Sequence, residues 1–210
     1  MKKFPVICPP GAIVMICQWF KPANNPSHDA VDFIIRNPNL SDRENARLTY
    51  GAQLVCPVSK AQGVLLNDFG TMQELGNGVD IEWKDGGFYY RLHFWHNVFN
   101  TVKLNDIVSE GQIVGLMGNT GAVKPAPTPE RPYDGTHCHM RYSQYQKDNW
   151  GGNINIVSLD PCLYFDVNNP YQGKDSDVLV DLEPINWSFG RLNIKDNFNK
   201  LCYFIRNIFN

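Results

Sequence analysis

Residues 78–95 read GVDIEWKDGGFYYRLHFW, in which two runs rich in aromatic and branched side chains flank Asp85-Gly86-Gly87. Runs of this composition favour strands, and an Asp-Gly pair between them is typical of a tight hairpin turn. The stretch therefore predicts a β-hairpin from about Val79 to Trp95.

Short apolar runs of the same kind, separated by Gly, Asn, Asp or Pro, continue along the chain from Pro5 to about Phe165. This pattern predicts a mainly β fold. The clearest candidate strands are Ala12 to Ile16, Val31 to Ile35, Gly78 to Trp83, Phe88 to Phe94 and Ile113 to Met117.

Two segments depart from this pattern. Ser41 followed three residues later by Glu44 is the signature of a capping box and indicates a helix start, although the short run behind it reads equally well as a loop. Residues 122–134, AVKPAPTPERPYD, are too rich in proline for a helix or a central strand, so they predict a stiff surface loop.

The end of the chain has a different residue pattern. Residues from Asn168 to Asp177 are polar and typical of turns, and Asp196 is a candidate N-cap for a closing amphipathic helix. The apolar positions of that helix recur at three-and-four spacing, at Phe198, Leu201, Cys202, Ile205, Ile208 and Phe209. We therefore divide the chain into a β domain over residues 1–166 and a C-terminal extension, a polar tether and helix, over residues 167–210.

Composition excludes several classes of function. A formal net charge of -2 gives no basic field for nucleic acid or an anionic membrane. No stretch approaches the ~20 apolar residues that span a bilayer, and the prolines at positions 5, 9 and 10 interrupt what would be a signal peptide. We interpret the start as mature protein. The six cysteines form no CxxC pair and are expected to be mostly buried thiols.

The placement of the histidines indicates the chemistry of the protein. In an extended strand, His137 and His139 lie on one face about 6.6 Å apart with Cys138 on the other, so one ring is placed to bind metal while the other faces substrate. His28 and Asp32 would be about 13 Å apart in a straight strand, too far to share one ion. The chain must therefore bend, with His28 on a loop and Asp32 at the start of a strand. Three ligands of the His/Asp/His kind and an open position are typical of catalytic zinc.

These motifs resemble those of a known family. His28-x-x-x-Asp32 and His137-x-His139 are similar to the two signature motifs of the lysostaphin-like (lysostaphin/LytM) zinc metallopeptidases, in the family's order. The resemblance covers roughly residues 10 to 166. Further matching segments are Cys56 to Val64, Gly76 to Ile81, Phe94 to Asn97, Asn105 to Gly115, Gly118 to Gly121 and Leu159 to Tyr164.

The resemblance implies a ligand set and a division of roles. Zn2+ would be bound by His28, Asp32 and His139, and His96 and His137 would be the catalytic histidines. His93 is the competing candidate for the place of His96, but the aromatic residue before His96 and its distance from the Asn105 turn favour His96. The implied architecture is a compact antiparallel β-sheet or sandwich domain with an open zinc groove.

The family pattern is broken at three places without loss of a ligand. Ala30 stands where glycine is usual, Cys138 replaces leucine between the paired histidines, and the proline-rich loop lengthens the approach to His137. We expect Cys138 to pack inward as a small apolar side chain. Trp83, Trp95, Phe94 and Tyr142 are expected to form core or groove wall.

The resemblance further implies hydrolysis of peptide bonds in bacterial peptidoglycan, within stem or cross-bridge peptides. Without a signal peptide, the economical route to the wall is a bacteriophage virion or lysis protein, with the C-terminal helix docking on other tail proteins. That helix also reads as a part of its own domain or as a membrane-surface element. Two alternatives are a fragment of a secreted bacterial enzyme and a catalytically lapsed tail module that keeps the fold for structure or wall binding.

Overall fold

The computed structural model describes residues 1–59, 61, 63–68 and 75–173, the stretch 63–68 through its backbone alone. The strands are β1 (Lys2–Cys8), β2 (Ile13–Gln18), β3 (Val31–Arg36), β4 (Gln53–Val55), β5 (Gly63–Asp68), β6 (Asn77–Asp85), β7 (Phe88–Asn97), β8 (Phe99–Asn100), β9 (Ile113–Leu116), β10 (Cys138–Lys147), β11 (Asn153–Leu159) and β12 (Phe165–Gln172). One helix, α1 (Asp42–Thr49), follows β3, and a 3-10 turn spans Pro161–Leu163.

The strands form two sheets. The large sheet has the order β2-β3-β10-β7-β6-β5, and β11 pairs with the second half of β10. The small sheet has the order β12-β1-β4-β9-β8. The pairings are antiparallel except that β12 runs parallel to β1. The fold is therefore mainly β and mostly antiparallel, as the sequence predicts.

The core lies between the sheets, and alternate residues of β3 point into it. On β3, Val31, Phe33 and Ile35 are fully buried while the residues between them are half-exposed. The ring of Phe33 meets that of Phe4 on β1 edge-on, with centroids 4.9 Å apart. The opposite face of the large sheet is thus left free to carry polar residues.

The helix α1 begins where its capping signal indicates. The hydroxyl of Ser41 accepts a bond from the N–H of Glu44, and a carboxylate oxygen of Glu44 accepts from the N–H of Ser41 at 2.8 Å. Thr49 at the other end donates its hydroxyl to the carbonyl of Ile35 at 2.8 Å, which joins the helix to β3.

Most local predictions are confirmed. The five expected strands correspond to β2, β3, β6, β7 and β9, and β6 and β7 form the expected hairpin across Gly86 and Gly87. Residues 122–134 contain neither helix nor strand. Among the described cysteines, Cys8, Cys56 and Cys138 are buried free thiols, whereas Cys17 is exposed and Cys162 is intermediate.

The interpretation of Asn168 to Asp177 as a polar turn is wrong over its described half. Residues up to Gln172 lie in β12, where backbone pairing with β1 overrides a sequence poor in strand formers. The boundary drawn at 166 therefore falls inside a strand. The predicted C-terminal helix lies outside the described residues. Within the described part of the chain, no helix has the length and hydropathy needed to cross a membrane.

Candidate metal centre

Three predicted ligands meet on the free face of the large sheet. The backbone register places Asp32 of β3 directly opposite His139 of β10. His28 reaches them from the loop before β3, which is folded back by bonds from the N–H of His28 to the Asn25 carbonyl and from the N–H of Lys21 to the His28 carbonyl. The predicted bend between His28 and Asp32 is confirmed.

The ligand atoms of these residues face one another. Oδ1 of Asp32 lies 3.2 Å from Nε2 of His28 and 2.9 Å from Nδ1 of His139, and the three atoms all lie within 4.8 Å of each other. Tetrahedral ligands about 2 Å from a zinc ion are separated by about 3.3 Å. Two imidazole nitrogens and one carboxylate oxygen thus fit the metal that the sequence predicts. Among the described residues, no fourth protein ligand joins this cluster.

The remaining ring nitrogen of His28 makes a hydrogen bond that orients the ring for metal binding. Nδ1 of His28 lies 3.1 Å from the carbonyl oxygen of Trp19. Since a carbonyl only accepts, Nδ1 carries the proton and Nε2 is left with a lone pair toward the centre. An outer partner of this kind fixes the tautomer and the ring orientation of a metal ligand.

Asp32 is held in its charged form. Burial by itself would raise the pKa of Asp32, but the hydrogen bond from His139 and the electrostatic effect of the nearby rings of His137, His139 and His28 together hold that pKa below its usual range. A carboxylate that stays ionised is the ligand form that a divalent cation requires.

A β-bulge brings His96 to the same face. Asn77 of β6 pairs with Asn97 and Val79 with Phe94, so β7 has one residue more than β6 over this interval. His96 sits in the bulge with φ of +66°, a backbone conformation that is rare for residues other than glycine. In a regular strand Trp95 and His96 would point to opposite faces, whereas here both rings lie near His139.

His96 and His137 form a pair beside the cluster. Their ring centroids are 4.6 Å apart, and Nε2 of His137 lies 3.9 Å from Oδ1 of Asp32. Nδ1 of His96 lies 2.8 Å from the Thr120 carbonyl, and Nδ1 of His137 lies 2.8 Å from the Gly135 carbonyl. Both rings therefore carry their proton on Nδ1, which leaves Nε2 of each as a proton acceptor.

Burial keeps this pair neutral. It is the main cause that lowers the pKa of His96 to about 4, followed by the electrostatic effect of the neighbouring His137, despite the opposing bond to Thr120. Burial also lowers the pKa of His137, against the attraction of Asp32. At neutral pH both side chains are thus uncharged bases.

The depressed pKa of His96 predicts a pH-dependent stability for the metal-free protein. The unfolded chain takes up this proton near pH 6.5 and the folded chain only near pH 4, so the free energy of unfolding must fall as pH drops between these values. We expect the free energy of unfolding of the wild-type protein to fall by roughly 2–3 kcal/mol between pH 7 and pH 4.5, and His96→Gln should not show this decrease. Urea unfolding of both proteins with a chelator present measures it, and an equal pH dependence in both would refute it.

No family model matches the chain, and neither does any curated protein. Among solved structures, a candidate glycyl-glycine endopeptidase LytM from Ruminococcus gnavus matches with a TM-score of 0.50 and 16% identity, over 82% of this chain and 63% of that one. The chain has the lysostaphin/LytM-type fold.

Two other structures share this likeness. A candidate M23 peptidase from Pseudomonas aeruginosa matches at a TM-score of 0.47 and 20% identity, over 80% of this chain and 51% of that one. The antimicrobial peptidase lysostaphin from Staphylococcus simulans matches at 0.47 and 20%, over 71% of this chain and 48% of that one. The chain thus spans about half of these proteins.

Within the lysostaphin/LytM-type fold, His93 lies on the same sheet face but outside the cluster. Its Nδ1 is 2.9 Å from Oδ1 of Asp80, and both side chains are buried. Nε2 of His93 lies 3.4 Å from the hydroxyl of Ser143, farther along β10. His93 thus belongs to a neighbouring buried pair, and the geometry favours His96 as the residue beside the metal site.

Sequence reasoning missed a polar network that ties the His28 loop to the sheet. Asp29, next to His28, accepts bonds from the guanidinium of Arg141 at 2.8 Å and from the hydroxyl of Ser158 at 2.9 Å. Arg141 also donates to Ser158 at 3.0 Å. Arg141 follows His139 by two residues on β10, so the same strand face carries a ligand and an anchor for the ligand loop. No motif in the sequence points to this network.

Two departures from the family pattern are accommodated. Cys138 is fully buried on the core face, as expected, and burial raises the pKa of its thiol far above the usual range. Ala30 is fully buried and is not among the residues of positive φ, so its backbone needs no glycine.

Proposed function

We propose that this chain is a zinc-dependent endopeptidase that hydrolyses peptide bonds in bacterial peptidoglycan. The observation that carries the proposal is the convergence of His28, Asp32 and His139 on one point, with the neutral rings of His96 and His137 beside it. The site stands on the face of the large sheet that is turned away from the core.

The donor set favours zinc. Two imidazoles and one carboxylate suit this ion, and three protein ligands are typical of catalytic sites, whereas structural sites usually have four. When bound, zinc supplies a Lewis acid that polarises the scissile carbonyl and acidifies water. His28, Asp32 and His139 would hold it.

The two remaining histidines supply proton transfer. Each has an unprotonated Nε2 because its ring proton is on Nδ1, which donates a hydrogen bond to a backbone carbonyl. Either ring can take the proton of the attacking water and, once protonated, either can donate to the oxyanion or to the leaving amine. The 4.6 Å between ring centroids favours two rings that act on the same reaction centre.

The substrate class is supported by the fold and by the family motifs. The structure of TM-score 0.50 is described as a candidate glycyl-glycine endopeptidase. For this chain, glycine-rich cross-bridges and D-Ala-containing links are both consistent with the motifs.

Fragment analysis tests the proposal. Purified protein should contain about one zinc per chain, because two imidazole nitrogens and one carboxylate oxygen converge within 4.8 Å of one another, as the ligands of a catalytic zinc do. Incubated with defined peptidoglycans of glycine-bridged and directly cross-linked types, it should release peptide fragments with new amino termini. Mass spectrometry of these fragments identifies the bond, and prior treatment with chelator should stop their release.

Two outcomes would contradict the proposal. A protein that takes up no zinc from zinc-containing buffer lacks the metal site, and a zinc-loaded protein that clears neither wall type is not a peptidoglycan hydrolase. The second outcome, with wall binding retained, would instead support a lapsed module that keeps the fold.

Delivery by a phage tail through the C-terminal segment stays a prediction, based on the apolar positions between Phe198 and Phe209. Deleting residues 190–210 tests it. The truncated protein should retain zinc and peptide hydrolysis but fail to join particles.

A further inference from the structure

One aromatic contact of the metal site is not explained by coordination or proton transfer. The indole of Trp95 lies flat against the imidazole of His139, with ring centroids 5.1 Å apart and an interplanar angle of 9°. The two residues are directly opposite each other on β7 and β10. Trp95 is 8% exposed, so the indole is packed in place and is not a surface ring that happens to pass nearby.

The neighbouring strand has no side chain where the indole lies. A Cβ added to Gly78 on β6 would come within 2.4 Å of Cδ1 of Trp95 and 3.2 Å of its Nε1. Real Cβ atoms essentially never show a contact as short as 2.4 Å, so a side chain at position 78 would require the indole to shift. Across four strands of the sheet, Asp32, His139, Trp95 and Gly78 thus form one continuous row.

His139 needs two restraints to present Nδ1 to a metal. The torsion about the bond to its ring is broad and roughly two-fold, so the ring is not fixed by its own rotamer. Asp32, 2.9 Å from Nδ1, selects which edge of the ring faces the centre. The stack on Trp95 restricts the plane of the ring, which the contact with Asp32 alone leaves free to tilt.

We propose that Trp95 is a positioning residue that holds the imidazole plane of His139 for metal binding, and that Gly78 is the residue that makes room for it. The inference rests on the zinc site of the proposed function. Trp95 acts through His139, because an indole N–H is a donor only and cannot itself bind a metal. Its Nε1 is buried and has no hydrogen-bond partner among the described residues.

A purely structural role of Trp95 can be separated from a role in metal positioning, because the chain contains a second tryptophan of similar burial. Trp83 on β6 is 7% exposed, almost the same as Trp95, and stacks on Tyr90 and Tyr142 at 5.8 Å each. It belongs to the core between the sheets, whereas Trp95 lies on the other face. The two residues therefore differ in what they stack on and hardly at all in burial.

Metal titration of matched variants tests the inference. Zinc affinity is measured by competition with a chromophoric chelator, and the ligand field by the visible absorption of the cobalt-substituted protein. Trp95→Leu should weaken zinc binding roughly 10- to 100-fold, the usual cost of losing an outer-shell partner, and should alter the cobalt spectrum. Trp95→Phe, which keeps a flat ring, should recover most of the affinity. Trp83→Leu should lower the Tm of the metal-free protein and leave both metal readouts unchanged.

A second pair of variants keeps the test decisive if Trp95→Leu fails to fold. Gly78→Ala should weaken zinc binding by displacing the indole, and Gly78→Ala combined with Trp95→Phe should restore it, since the smaller ring leaves room for a methyl group. Wild-type affinity and an unchanged cobalt spectrum in Trp95→Leu, or in Gly78→Ala, would overturn the positioning role while leaving the zinc site intact. A wild-type protein that binds no zinc would refute the proposed function itself.

Discussion

Replacing Asp32 by asparagine should remove the metal from this protein with little change of shape. The substitution keeps the size and one oxygen of the side chain but removes the only negative charge of the ligand cluster. Because the pKa of Asp32 is held below its usual range by hydrogen bonding and the electrostatic effect of the nearby histidine rings, the native side chain is ionised well into acid. We expect zinc affinity to fall by more than roughly 100-fold, beyond the 10- to 100-fold typical of outer-shell changes, with peptide hydrolysis lost in parallel.

The neighbouring carboxylate provides the control. Asp29 is three residues away and is paired with Arg141 and Ser158, outside the ligand cluster. Asp29→Asn carries the same change of charge and volume, so it should keep zinc within the 10- to 100-fold range of an outer partner. Zinc content after dialysis and chelator competition measure both variants. Equal retention of zinc in Asp29→Asn and Asp32→Asn would show that Asp32 is not a ligand.

The sequence predicts those parts of the fold that depend on local physics. The hairpin around Gly86 follows from turn chemistry and from strand composition. The start of α1 follows from the reciprocal bonds of Ser41 and Glu44, although the run behind them reads equally well as a loop. The relation of His137 and His139 is likewise local, since a two-residue spacing in extended chain puts both rings on one face, where both lie near Asp32.

Long-range register is what the sequence could not supply. The stack of Trp95 on His139 joins residues from two strands that are separated by the whole segment of β8, β9 and the proline-rich loop. The bulge at His96 arises because β7 has one residue more than β6 between paired positions, a count that exists only after the strands have paired. Neither feature leaves a periodicity that could be read from the chain.

The boundary drawn at 166 falls inside a strand for a related reason. The sequence DVNNPYQ at residues 166–172 has the composition of a turn, yet it forms most of β12. Its strand state comes from parallel pairing with β1 at the other end of the chain, where the Ile7 backbone meets Tyr171 and Cys8 meets Gln172. Composition therefore misjudges an edge strand whose stability comes from its partner.

Removing either histidine of the His96–His137 pair should slow hydrolysis by at least about 100-fold while zinc stays bound. Both side chains are neutral because burial lowers their pKa. Both have an unprotonated Nε2 because the ring proton sits on Nδ1, which donates a hydrogen bond to a backbone carbonyl. General acid–base groups of this kind contribute on the order of 100- to 10,000-fold. His96→Gln and His137→Gln should therefore lower kcat with zinc content unchanged.

The matched control for this prediction is His93→Gln. His93 precedes His96 by three residues on the same strand, is similarly buried, and lies on the same face, but it pairs with Asp80 and not with the metal cluster. The His93→Gln protein should lose stability without a comparable loss of kcat in the folded fraction.

If the two histidines act as one proton-transfer unit, the double variant His96→Gln/His137→Gln should be only slightly slower than either single variant, because removing one member already breaks the unit. If His96→Gln or His137→Gln loses as much zinc as His139→Ala, these two rings are metal ligands. If His93→Gln loses as much kcat as His96→Gln, then His93 has the catalytic role that the geometry assigns to His96.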